Sequence, residues 1–232
     1  MRNHETLFIH EEVMLLALRD EKGTVAADVP MSYVLGGALL AELLLANRIG
    51  IEEGSKRRLV RLIDPEPLGD PILDACLERI AAAKRRAPLR AWVSRISGMR
   101  GLQRRIAERL CDRRILRAEE RPILVIFPRT VYPVADAAPK KALVERLGEA
   151  IFTNQKDIDP RTVVLLSIAH HAKLLPRVFD KRKLKEEHAR IKSIVSGEMT
   201  GKATREAIEA MQAAIFVATV IPAVTVTTTS NQ

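Results

Sequence analysis

The segment Ser32 to Ala46, SYVLGGALLAELLLA, is apolar nearly all the way round a helix, and Glu42 is its only charge. A helix without a polar face has to be covered on every side, which puts it at the centre of a domain with other helices around it. Gly36 and Gly37 lie inside it. Each costs about 1 kcal/mol against Ala in a helix interior, so a close helix contact is expected there. The chain has 232 residues, enough to bury roughly 70–75% of its extended surface. Its 47% hydrophobic and 29% charged content is that of a globular protein and excludes a mostly disordered one.

Helical periodicity dominates the rest. Ile9, Val13, Leu16 and Ala17 recur at i+3 and i+4 spacing, and Asp20-Glu21-Lys22-Gly23 supplies a stop. After the apolar helix, Ile49–Glu52 and Arg57–Ile63 flank Glu53-Gly54-Ser55 and read as a small hairpin. Pro71–Arg85 is amphipathic, and Leu89–Ile96 is a short helix with the one tryptophan, Trp92. Gly101–Arg113 puts Leu102, Ile106 and Leu110 on one stripe and Arg105, Arg109 and Arg113 on another. A second hairpin is expected from Ile115–Glu119, a turn at Glu120-Arg121-Pro122, and Ile123–Phe127. Helices near Lys140–Phe152, Arg161–Leu175 and Lys181–Ser196 follow a proline-containing linker, and a fourth runs from Ala203 into an apolar tail. The order helix then hairpin occurs twice without a fixed-period repeat. The fold class is mainly α: residues 1–232 as one helical domain with small β-hairpins.

The sequence offers little catalytic chemistry. His10-Glu11-Glu12 is not a zinc-protease motif, and His4 lies six residues from His10, the wrong spacing for two ligands on one helical face. Glu11 and Glu12 suit a first helical turn, where carboxylates favour the dipole. His170 and His171 are adjacent and cannot chelate as an i, i+4 pair. There is no phosphate-binding glycine loop, nucleophile elbow or Cys-x-x-Cys pair. No enzyme activity, metal or cofactor is expected. Cys76 and Cys111 are too few for a disulfide scaffold, which fits a reducing cytoplasm. The start of the chain has the wrong order for a signal peptide. The longest apolar stretch, Ala213 to Val226, is shorter than the ~20 residues a spanning helix needs, and Pro222 interrupts it.

The charge is more informative. Lys and Arg (38) exceed Asp and Glu (29), giving +9. Arg86, Arg90, Arg95, Arg100, Arg104, Arg105, Arg109, Arg113 and Arg114 crowd one stretch in which Glu108 and Asp112 are the few acids. Arginine recognises phosphate through a planar, bidentate fork. The plain alternative is a solvated face with local pairs such as Arg104–Glu108 and Arg109–Asp112. Beside the cluster, Ile123-Leu124-Val125-Ile126-Phe127 is continuously apolar where a half-exposed hairpin would alternate. It reads either as a strand buried on both faces or as an apolar element that enters a bilayer. In the second case apolar burial and anionic-lipid attraction supply the two signals that peripheral binding requires.

Five ordered blocks then carry a resemblance: LFIHEEVMLLALRDEKG, LGGALLAELLLANRIGIE, GDPILDACLERI, RRIAERLCDRRIL and DPRTVVLLSIAHHAKLL. In that order they resemble the Golgi phosphoprotein family of phosphoinositide effectors, over about residues 7–219, with 220–232 as an apolar, Thr-rich tail. The resemblance implies a central helix bundle ringed by amphipathic helices, plus a β-hairpin. It implies peripheral attachment to the cytosolic face of a membrane through phosphatidylinositol 4-phosphate and other anionic lipids, and cytosolic tails of membrane proteins as partners. Arg100, Arg104 and Arg105 would contact the headgroup, and Ile123, Leu124, Val125, Ile126 and Phe127 would insert. Of the family's headgroup residues, the Trp falls at about Ala27 and the first Arg at about Gly36; Arg100 matches one of the later pair, and the other falls on Gln103. The domain begins within a few residues of Met1, so the likeness is to a compact, prokaryotic-type member without the basic N-terminal extension.

Three functions follow. The first is a peripheral-membrane, anionic-lipid-binding adaptor. The second is a winged-helix-like nucleic-acid binder using Arg105, Arg109 and Arg113 on phosphates; the 3% aromatic content argues against a single-strand stacking platform. The third is a soluble protein-interaction scaffold or homo-oligomer, with Ala213–Val226 as core or self-association surface.

Overall fold

The computed structural model describes residues 6–25, 30–52, 57–123, 127–196, 204–209 and 212, with no side-chain detail for 122–128. Helix α2 (Met31–Leu45) is the centre, as its composition requires: Leu35, Leu39, Leu40 and Leu43 have no exposed surface, and Glu42 is 4% exposed. Around it pack α1 (Ile9–Ala17), α3 (Pro71–Ala81), α4 (Leu89–Ser97), α5 (Leu102–Asp112) and α7 (Pro160–His171). The expected tight contact is with α4: a Cβ on Gly36 would lie 3.3 Å from both Val93 O and Ser97 N. The remaining helices are α6 (Ala138–Phe152), α8 (Leu175–Val178), α9 (Lys181–Glu186) and α10 (His188–Ser196), and residues 204–209 are helical too. The fold is mainly α, and no described helix is long and apolar enough to cross a membrane.

Three helices end the same way. Asn47, Arg114 and Lys173 hold positive φ after α2, α5 and α7. The next amides, of Arg48, Ile115 and Leu174, donate back to Leu43 O, Leu110 O and Ala169 O at 2.8–3.0 Å. This is the Schellman closure, which satisfies otherwise orphaned carbonyls and turns the chain sharply. It explains why the helix expected over Arg161–Leu175 is two: Lys173 stops α7, and Pro176 opens α8. The expected Lys181–Ser196 helix likewise divides at Glu187.

Among the described residues the strands form three antiparallel pairs. The hairpin β3 (Ile49–Ile51) with β4 (Val60–Leu62) lies where the sequence places it; its connecting residues 53–56 are outside the described set. A shorter pair, β1 (Leu18–Arg19) with β2 (Thr24–Val25), occupies what reads in sequence as a helix stop. The third pair departs from expectation. Strands β5 (Glu119–Ile123) and β6 (Phe127–Val131) pair in the register Glu119↔Val131 through Arg121↔Arg129 to Ile123↔Phe127. Glu120-Arg121-Pro122 is therefore strand, not turn. Proline signals a turn by default, yet every strand of a two-stranded ribbon is an edge, where proline is tolerated; Pro122 and Pro128 sit opposite each other. The residues joining the strands are Leu124, Val125 and Ile126, which lie outside the described residues, as does the apolar stretch 213–226.

Candidate functional site

A cavity of about 780 Å³ opens between the end of α1, the β1–β2 turn, the start of α2, α5 and β6. Glycine builds its wall. Gly23 has φ +60, and a Cβ there would lie 2.3–2.5 Å from the backbone of Tyr132 and Pro133. The β1–β2 turn can therefore lie flat against the chain leaving β6, with Tyr132 N donating to Gly23 O at 2.8 Å and Val134 N to Asp20 O at 3.1 Å. The floor is apolar, from Met14, Leu18, Met31 and Ala107; Gln103, Arg104, Arg129, Thr130, Thr24 and Tyr132 supply polar groups. Burial pushes the Tyr132 phenol above its ordinary range, and Glu108 and Cys111 add to this, so it stays a neutral donor at pH 7. The chemistry is two guanidiniums and several hydroxyl and amide donors over an apolar base, suited to an anion with an attached apolar part.

Of the three arginines expected at a headgroup, Arg104 lines the cavity and makes an exposed pair with Glu108, at 3.7 Å. Arg100 is exposed just before α5, and Arg105 is half-buried on α5; neither lines the cavity. Gly36, the counterpart of the family's first arginine, is used for packing against α4, and Ala27 lies outside the described residues. Gln103 is present in the lining, and Arg129 is the guanidinium that sequence reasoning missed. Its one signal was a lone arginine following the apolar run, on a strand whose register the misplaced turn concealed. Of the residues expected to insert, Ile123 and Phe127 form the last described pair of that hairpin, and Leu124, Val125 and Ile126 lie outside the described residues. Arg129 stands two residues, about 7 Å of strand, from Phe127.

Arg109 and Arg113 of the stretch have structural partners. Arg109 Nε lies 3.5 Å from Asp70, not on Asp112, and Arg113 Nη1 donates to Glu11 Oε2 at 2.7 Å. Asp70 and Glu11 have no exposed surface. They belong to a buried polar layer in which Arg146 pairs with Glu12 at 2.7 Å and Arg161 with Glu42 at 2.6 Å. Burial raises the carboxyls of Glu11 and Glu12 above their usual range, partly countered by Arg113 for the first and Arg146 and Arg161 for the second. Glu11 and Glu12 do sit in the first turn of α1, but as ion-pair partners. Arg109 and Arg113 are thereby engaged inward, which removes two of the three cations from the phosphate-facing stripe that a winged-helix reading needs.

The histidines form no chelating pair: His170 and His171 stack edge to face at 5.2 Å, and His171 Nδ1 lies 2.8 Å from Ser167 O. Among the described residues no group of three His, Cys, Asp or Glu side chains is placed to hold a metal ion. Burial pushes the Cys76 thiol up to about 12.

A mainly helical bundle with small antiparallel hairpins and a cavity lined by two arginines defines a class of small helical domains. Comparison with known families narrows this: residues 9–211 match the family described as Golgi phosphoprotein 3 (GPP34), and the chain belongs to it. Vacuolar protein sorting-associated protein 74 of Eremothecium gossypii is 27% identical over 207 residues, covering 75% of this chain. The match spans 61% of that relative's length.

Proposed function

We propose that this protein is a non-catalytic, peripheral membrane adaptor that binds an anionic phospholipid headgroup, with phosphatidylinositol 4-phosphate as the first candidate, in the cavity between α5 and β6. The observation that carries the reading is that Arg104 of α5 and Arg129 of β6 both line that cavity, Arg129 on the hairpin that leads to Ile123-Leu124-Val125-Ile126-Phe127. One hairpin thus supplies both a headgroup ligand and, two residues further on, an apolar run. Each apolar side chain buried in a bilayer contributes about 1.5–3 kcal/mol, and each basic group near anionic lipid about 1 kcal/mol. Arg100, exposed beside α5, adds to the field without entering the cavity. Family membership supports the same reading, and cytosolic tails of membrane proteins are the corresponding clients.

Vesicle flotation tests it, with neutral vesicles, generic anionic vesicles, and vesicles containing phosphatidylinositol 4-phosphate. Preferential flotation with the phosphoinositide, lost in Arg104→Gln/Arg129→Gln, is the expected result. Equal flotation with every anionic vesicle would remove headgroup specificity, and no flotation at all would leave the scaffold reading.

A further inference from the structure

The β1–β2 turn and Leu18 line a second cavity as well as the one between α5 and β6. Its volume is about 500 Å³. Arg19 of β1, Lys22 of the turn, Lys140 of α6 and Arg177 of α8 line it, against two acids, Asp20 and Glu21. Asp20 is already answered: Lys140 Nζ donates to its carboxylate and, at 3.0 Å, to Leu18 O. The Lys140 side chain is only 13% exposed, so these bonds fix an ammonium in the cavity wall. An ammonium has more donors than they use. Arg19 and Lys22 are exposed and make no ion pair among the described residues. The lining therefore carries more positive than negative charge, and an anion with several acceptor oxygens offsets the repulsion among its cations.

We infer that this cavity takes a phosphate-bearing lipid headgroup of its own, beside the one proposed between α5 and β6. The inference rests on the membrane reading above, because the hairpin sets the depth of both cavities. Arg121 of β5 and Arg129 of β6 are register partners. Arg129 lines the first cavity, while Arg121 Nη2 donates at 3.3 Å to Glu21 O, in the turn that lines the second. Both cavities are thus attached to one rung of the hairpin, two residues before the pair Ile123↔Phe127. A hairpin whose apolar end enters a bilayer brings them to the headgroup layer together. The chemistry favours a phosphate monoester, which offers several acceptor oxygens to one fixed ammonium and to the longer reach of Arg19 and Lys22. A choline headgroup would instead bring a cation against a basic wall.

Two measurements on the intact protein test it. In the first, short-chain dibutanoyl phosphatidylinositol 4-phosphate is added in solution to concentrations on the order of 1 mM, and amide shifts are followed by NMR. Saturable shifts at Lys140 and Arg177 are expected, kept in Arg104→Gln/Arg129→Gln and lost in Arg19→Gln/Lys22→Gln. The second is flotation with phosphatidylcholine vesicles containing phosphatidylinositol 4-phosphate, where Arg19→Gln/Lys22→Gln should lower partitioning roughly thirtyfold. Both substituted residues are exposed, so the unfolding midpoint should stay within a degree or so of the parent. Absence of saturable shifts at Lys140 and Arg177 overturns the inference. Shifts without a loss of flotation would assign the cavity to free phosphate anions and overturn the lipid assignment. The two cavities are judged apart: if only Arg104→Gln/Arg129→Gln weakens flotation, this inference fails and the first reading stands. If only Arg19→Gln/Lys22→Gln does, the second cavity keeps its headgroup and the first loses it.

Discussion

Glu42, the single charge in the central helix, is joined to Arg161 of α7 by two hydrogen bonds of 2.6 and 3.0 Å. The same carboxylate accepts the amide of Ile9 at 2.6 Å, so one buried side chain caps α1 and ties three central helices together. Arg161 also reaches Leu7 O and lies 3.8 Å from Glu12. Hydrogen bonding to Glu42 and the charges of Glu42 and Glu12 overcome burial and raise its already high pKa. The apolar helix is therefore not placed by hydrophobicity alone; one polar anchor fixes how its neighbours meet it.

Removing either partner should be costly. Glu42→Leu or Arg161→Met leaves a buried charge without its main partner, and a loss of about 3–5 kcal/mol is expected. The double variant should recover much of that loss, because a well-packed apolar pair is often as stable as a buried ion pair. Urea midpoints of the three variants and the parent check this; singles as stable as the parent would contradict it.

At Gly36 the issue is space. A Cβ would come within 3.3 Å of two backbone atoms of α4, and backbone in a packed helix cannot move aside as a flexible side chain can. Gly36→Val should therefore cost about 1–3 kcal/mol by overpacking, read as a lower unfolding midpoint. If it stabilised the protein, the α2–α4 contact would have to be looser than the structure has it.

These two positions show what a reader of the sequence alone could see. The central place of α2 and the close contact at its glycines follow from composition and propensity, because covering an all-apolar helix has few solutions. The ends of helices were less legible: Lys173 and Arg114 carry no glycine signal, and only the three-dimensional closure of the carbonyls explains them. The buried polar layer was hidden as well. Glu11 and Glu12 read as carboxylates favouring the dipole of a first helical turn unless Arg113 and Arg146, far away in sequence, are known to pair with them, and Asp70 to lie beside His10. Within the candidate site, Arg104 was visible because it lies in a basic cluster, whereas Arg129 needed the hairpin register.

The layer should also give the protein an acid limb. His10 has no exposed surface, and burial pulls its pKa from 6.5 down to about 4. Asp70, 3.7 Å away, opposes this, while Arg161, Arg109 and Arg113 reinforce it. The unfolded chain takes up a proton near pH 6.5 and the folded one only near pH 4, so stability falls as pH drops through that window. At about 1.4 kcal/mol per pH unit the full loss is about 3 kcal/mol. Glu11 and Glu12 act in the opposite sense, since their raised folded values favour folding as they protonate. Comparing the parent with His10→Gln isolates the histidine: the difference in urea midpoint between them should shift in the variant's favour from pH 7 to pH 4.5. A constant difference would mean that His10 takes up its proton over the same pH range folded as unfolded.

The arginines on and around α5 and β6 should separate into two kinds. Arg113 pairs with a carboxylate of no exposure at 2.7 Å, so Arg113→Gln strands a buried charge and should cost about 3–5 kcal/mol of stability. Its side chain does not line the cavity between α5 and β6, so whatever protein remains folded should bind vesicles as before. Arg104 is 69% exposed with one weak pair, and Arg129 is exposed on β6. Arg104→Gln/Arg129→Gln should leave the unfolding midpoint within about 0.5 kcal/mol of the parent. The same change removes about 2 kcal/mol of attraction to anionic vesicles, or roughly a thirtyfold fall in partitioning. That fall should shrink as salt rises well above about 0.15 M, where exposed charges are screened. The informative result is the crossing of the two effects. If both substitutions lowered stability and binding together, Arg104 and Arg129 would be structural, and the cavity would lose its claim to the headgroup.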